Sequence, residues 1–145
     1  ENIGDFEIDT VIQTRAKNEC LLTLTDRKSR YQIIRLIPDK SAVSVNQALK
    51  AILKDYQMNS ITADNGAEFS RLAEVFDPTH IYYAHPYSSW ERGTNENHNR
   101  LIRRWLPKGS KNATQQQVAF IENWINNYPK KLFNYKSPKE FLQTG

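Results

Sequence analysis

The chain has 145 residues, 39% of them apolar and 25% charged, with a formal net charge of +4 and a sequence pI near 9.2. That length suits one domain with a real core, and no apolar stretch approaches the roughly 18–20 residues that cross a bilayer. Cys20 is the only cysteine, which excludes an intrachain disulfide or cysteine-built zinc cluster and suits a small core residue in a reducing compartment.

Taken in chain order, Phe6 to Ile12 reads as a strand, with Glu7, Asp9 and Val11 on one face and Phe6, Ile8, Thr10 and Ile12 on the other. Leu21 to Thr25 is a second strand, Asp26-Arg27-Lys28-Ser29 a polar turn, and Tyr31 to Ile37 a third strand that Pro38 stops. These three predict an antiparallel meander. Ser41 or Ser44 caps a helix whose apolar positions Val45, Leu49, Ile52, Leu53 and Tyr56 fall at helical spacing. Ser60 to Ala63 is a short strand ending at the turn-forming triplet Asp64-Asn65-Gly66. A short helix is expected over Phe69 to Phe76, then a fifth strand from His80 to Ala84, halted by Pro86. Helices follow over about 93–106 and 114–127, with Trp105 and Trp124 expected in the core, and the tail is partly irregular. This order predicts an α/β domain spanning 1–145, with a five-stranded mixed sheet flanked by helices.

Charge is unevenly spread. Asp5, Glu7 and Asp9 gather early, whereas the last third carries Arg92, Arg100, Arg103, Arg104, Lys108, Lys111, Lys130, Lys131, Lys136 and Lys139. Such a distribution predicts a phosphate-binding surface beside a separate acidic site, although solvated helix faces explain part of it. Asp9 and Asp64 interrupt or follow apolar runs, where an ionised carboxylate is costly without compensation. Glu96 opens the arginine-rich segment. Hard divalent cations take such oxygen ligands, so three carboxylates on a basic chain point to metal-dependent phosphodiester chemistry. Singly, Asp9 and Asp64 also read as a buried structural aspartate or a turn cap, and Glu96 as an exposed partner for Arg100. Glu7 and Glu68 read as structural or solvent-facing acids, with outer-shell groups or reserve acids as the alternatives. Asp26 reads as shaping its turn. His85 and His98 are candidates for phosphate contacts or ordinary polar ones.

The order of elements, with Asp9, Asp64 and Glu96 at these stations, resembles the ribonuclease H-like catalytic core of DDE transposases and retroviral integrases. Gly4-Asp5-Phe6-Glu7-Ile8-Asp9, Thr62-Ala63-Asp64-Asn65-Gly66-Ala67-Glu68-Phe69 and the long block from Tyr83 to Asn97 are similar to the IS30 family of insertion-sequence transposases. Leu101-Ile102-Arg103-Arg104 with Pro107-Lys108-Gly109 continues the likeness. Arg100 stands where that family commonly has glycine, and Ile8 precedes the first aspartate where glycine is frequent.

The resemblance implies a ribonuclease H-like fold, three antiparallel strands then two parallel, and a catalytic and metal-binding set of Asp9, Asp64 and Glu96. It implies two magnesium ions, with manganese able to substitute, roughly 4 Å apart. Its chemistry would be cleavage and transfer of DNA strands without a covalent protein–DNA intermediate. Asn99, Arg100 and Arg103 follow Glu96 at helical spacing and, with Arg92, Arg104 and Lys108, are candidate DNA contacts. Tyr87 and Trp90 are candidates for stacking on an unpaired base. Expected partners are the terminal repeats and target DNA, in a homodimer or larger assembly at the nucleoid of a bacterial cytoplasm, with no membrane. Glu1 is not preceded by a methionine or a signal pattern, which reads as a fragment or trimmed chain; the DNA-recognising helix-turn-helix expected ahead of such a core is absent from this sequence. A nuclease that only hydrolyses, and a domesticated DNA-binding or assembly module without chemistry, are the alternative functions.

Overall fold

A computed structural model describes residues 3–12, 19–84, 98–107, 113–128 and 137–139. Three strands open the chain, β1 (Asp5–Ile12), β2 (Cys20–Asp26) and β3 (Gln32–Ile37). Both pairings are antiparallel, Asp9 facing Thr23 and Thr23 facing Ile34, as the predicted meander requires. Helix α1 (Ala42–Asp55) then crosses over to β4 (Ser60–Ala63), which lies parallel to β1. Strand β5 (Ile81–Tyr83) adds in parallel to β4, giving the order β3-β2-β1-β4-β5.

The alternation of apolar side chains explains why helices cover both faces. Phe6, Ile8, Leu22, Leu24 and Ile33 point to one side and pack on Val45, Leu49 and Ile52 of α1, with Phe69 and Leu72 closing that core. Val11, Leu21 and Ile34 point to the other side. They meet Leu101 and Ile102 of helix α2 (98–105 in its described part), Leu106 just beyond it, and Val118, Ile121 and Ile125 of α3 (Gln115–Asn126). Strand β2 is therefore buried along its whole length, its polar residues Thr23, Thr25 and Asp26 included.

Local chemistry sets the element ends. Ser41, one of the two expected caps, accepts the Ser44 N–H at 3.1 Å and starts α1. Thr114 and Gln117 form a reciprocal capping box at the start of α3. Asp26 shapes its turn as expected: it is buried and accepts the N–H groups of Gly4, Lys28 and Ser29 at 2.9, 2.9 and 3.0 Å. Gly4 sits at φ 107°, a conformation that favours glycine, as it delivers its N–H there. At the β3 edge, the buried Asn126 amide accepts the Gln32 N–H and donates to its carbonyl, both at 2.7 Å, standing in for one residue of a neighbouring strand.

Two expectations are corrected. Residues 69–76 form no α-helix; 3₁₀ turns at Ala67–Phe69 and Leu72–Glu74 replace it, with a third at Pro78–His80 before a shorter β5. The Arg71 carbonyl accepts both the Asn46 side chain at 2.8 Å and the Glu74 N–H at 3.1 Å, and the Val75 N–H bonds to Leu72, so this stretch closes in three-residue steps pinned to α1. Trp105 is also not a core residue, being 44% exposed. It stacks edge-on with Phe120 and Trp124 at the rim of the second core, while Trp124 is only half-buried. The tail positions other than 137–139 lie outside the described residues. No helix among the described residues is long and apolar enough to cross a membrane.

Candidate active site

The parallel pairing of β1 with β4 decides where the acids meet. Glu7 is in register with Thr62, and two residues further on the same direction brings Asp9, in the middle of β1, towards Asp64, just past the end of β4, close enough for the Asp64 charge to act on it. Asp9 shares the face of Val11, the side covered by α2 and α3. Thr10 shares the opposite face with Phe6 and Ile8, under α1.

Asp9 accepts the Thr10 N–H at 2.8 Å. Its carboxyl is pushed up to about 6, first by burial; Asp64 and Glu68 add to the rise, while the Thr10 N–H and the Lys40 ammonium oppose it. Asp64 is exposed and accepts the Gly66 N–H at 2.7 Å, an Asx turn that fixes its carboxylate at the strand end. A Cβ on Gly66 would stand 1.8 Å from Glu68 Oε1 and 2.9 Å from Asp64 Oδ1. The two carboxylates thus converge on the space that a side chain at 66 would fill, and close approach is what demands glycine there.

Glu68 is only 5% exposed. Its Oε2 lies 3.2 Å from Lys40 Nζ and accepts the Thr10 hydroxyl at 3.5 Å. Asp39, next to Lys40, accepts the hydroxyls of Ser41 and Ser44, which hold its carboxyl below the usual range and tie this segment to the start of α1. Of its readings, Glu68 is thus the structural acid, not a solvent-facing one. Lys40 was not singled out from sequence, because an ion pair between residues far apart in the chain has no local signature.

Among the described residues no three Asp, Glu, His or Cys side chains form a metal-binding group. The described part supplies a pair, Asp9 and Asp64. Two carboxylates on neighbouring strands, one of them raised to about 6 partly by its acidic neighbours, are a donor set whose mutual repulsion a hard cation would relieve. The third predicted acid, Glu96, lies outside the described residues, as do His85, Tyr87, Trp90, Arg92 and Lys108. Of the predicted DNA contacts within reach, Arg100 is exposed on α2 and Asn99 half-buried. Arg103 donates to the Leu106 carbonyl at 3.5 Å, and partial burial lowers its pKa. Arg104 lies over the Trp124 ring at 5.7 Å. His98 is 1% exposed and belongs to the interior, which corrects its candidacy for a phosphate contact.

A central strand with a meander on one side, a crossover helix and an adjacent parallel strand define a ribonuclease H-like fold, with an acid on the central strand and another at the end of its parallel neighbour. The catalytic core domain of BIV integrase has this fold: it superposes with a TM-score of 0.78 at 16% identity, covering 99% of this chain and 96% of that one. The sequence carries the assignment further. It is 41% identical over 143 residues to the probable transposase for insertion-like sequence element IS1161 of Streptococcus salivarius, covering 97% of this chain and 42% of that protein. Transposase InsI for insertion sequence element IS30C of Escherichia coli (strain K12) is 41% identical over 151 residues, covering 99% of this chain and 39% of its own length. No family model matches the sequence. Over nearly its whole length the chain is thus a homologue of IS30-type insertion-sequence transposases, and it spans about two fifths of the relatives it matches.

Proposed function

We propose that this chain is the catalytic core of an IS30-type DDE transposase, cutting DNA strands at insertion-sequence ends and joining them to target DNA. The observation that carries the reading is the β1–β4 register that brings Asp9 towards Asp64, in a chain 41% identical to named transposases. In this reading Asp9, Asp64 and Glu96 hold divalent cations, magnesium or manganese. When bound, the cations supply Lewis acidity to the attacking and departing oxygens of an in-line displacement. The protein's own part is to aim the donors. Thr10 N–H orients Asp9 and Gly66 N–H orients Asp64, while burial keeps the Asp9 carboxyl titrating close to neutrality. No serine or tyrosine nucleophile is needed.

Arg100, exposed on α2, is a described residue free to meet phosphates; in this reading Arg92, Asn99, Arg103, Arg104 and Lys108 also contact DNA, and Tyr87 and Trp90 stack on an end base. The substrates are terminal repeats and target DNA, and the need to hold two ends together calls for a homodimer or larger assembly on DNA. A strand-transfer assay on supercoiled plasmid with magnesium or manganese tests the proposal. Joined product is expected from this chain and none from Asp64→Asn. Equal product from both refutes the site, and hydrolysis without joining reduces the function to a nuclease.

A further inference from the structure

Glu68 is a buried acid for which the proposed chemistry has no use. Three contacts define what it does. Through Oε2 it meets the hydroxyl of Thr10, the residue that follows Asp9 on β1. Through Oε1 it fills the space over Gly66, in the turn that orients Asp64. Its charge is matched by Lys40 at 3.2 Å, and Lys40 is held in place because Asp39 and Ser41 on either side of it are bonded into the start of α1. The carboxylate therefore bridges the two acid-bearing segments from the face opposite Asp9, with its own charge already balanced. Asp64, by contrast, is exposed and open to a ligand.

We propose that Glu68, anchored by Lys40, is a positioning residue that sets the separation of Asp9 and Asp64 for cation binding and is not itself a ligand. A buried acid left unpaired would be costly, and the Lys40 ammonium at 3.2 Å is the partner that holds the Glu68 side chain in its seat. Groups of this kind, bonded behind the ligands, commonly govern metal affinity about 10- to 100-fold. The inference rests on the proposed cation site at Asp9 and Asp64.

The test is manganese binding to the 145-residue chain, read from the electron paramagnetic resonance signal of free Mn2+, below the thermal midpoint of every variant. Asp64→Asn serves as the control for the site. Glu68→Gln keeps the shape and loses the anchor; Lys40→Met removes the anchor; Lys40→Arg retains it. The expected result is unchanged stoichiometry with a dissociation constant raised about tenfold in Glu68→Gln and Lys40→Met, and within about twofold of the parent in Lys40→Arg. Affinities within twofold of the parent in both weakened variants overturn the positioning role alone, provided Asp64→Asn loses binding. Loss of a bound equivalent in Glu68→Gln, with tighter binding in Lys40→Met, makes Glu68 a ligand and also overturns it. Binding by the parent no better than by Asp64→Asn overturns this inference together with the proposed function.

Discussion

Replacing Asp9 by Asn should stabilise the metal-free protein at neutral pH. The unfolded chain ionises this carboxyl near 3.8 and the folded chain near 6, so the folded state binds the proton more tightly. Stability owed to the proton is complete below the unfolded value and is lost as pH rises through about 6. At ~1.4 kcal/mol per unit, the penalty above that point is about 3 kcal/mol. Asparagine keeps the acceptor for the Thr10 N–H and the side-chain volume, and removes only the charge. Urea unfolding in the presence of a chelator should therefore show Asp9→Asn more stable than the parent by about 2–3 kcal/mol at pH 7.5, the gap closing towards pH 4. Manganese should reverse the ranking, since it binds the folded parent through the charge that the variant lacks. A difference that is absent at pH 7.5, or that does not change with pH, would refute the reasoning, because neither burial nor the neighbouring acids would then be loading Asp9.

Gly66→Ala should lower stability by about 1–3 kcal/mol, because its Cβ would meet Glu68 Oε1 at 1.8 Å and drive that buried carboxylate from Lys40; thermal melts with and without manganese would register both the loss and a weakened cation response. Asn126→Ala should cost about 2–3 kcal/mol in urea, since it strips the Gln32 N–H and C=O of their partners at a buried edge. Asp26→Ala should cost at least as much, about 2–4 kcal/mol, by leaving the Gly4, Lys28 and Ser29 amides without their acceptor, and amide exchange at those residues should accelerate in step.

Much of the architecture is readable in the residues themselves, for identifiable reasons. Alternation in β1 set Phe6 and Ile8 on one face and Val11 on the other, and they pack into separate cores. A hydroxyl cap at Ser41 or Ser44 marked the start of α1, and Ser41 is the one used. Asp9 and Asp64 stood out because carboxylates at the ends of apolar runs need a reason to be there. What escaped depended on partners remote in sequence. Asn46 pins to α1, at the Arg71 carbonyl, the 3₁₀ turns that stand in place of a helix over 69–76. Trp105 obeys the apolar stripe of α2 yet sits where that stripe reaches the rim, among other aromatic rings. Lys40 reads as one more surface lysine until folding carries it to Glu68. His98 lies in a polar stretch of sequence, and only the packing of α2 reveals it as interior.

The crossover through α1 has a consequence for when reactivity can arise. The β1–β2 and β2–β3 hairpins join near neighbours, whereas β1 meets β4 only after some fifty intervening residues have been arranged. Distant parallel pairings of this sort carry the largest loop-closure cost and close late. A nascent or proteolysed polypeptide that stops short of β4 can carry Asp9 but never a neighbouring Asp64, so under the proposed function such a piece could not cut DNA.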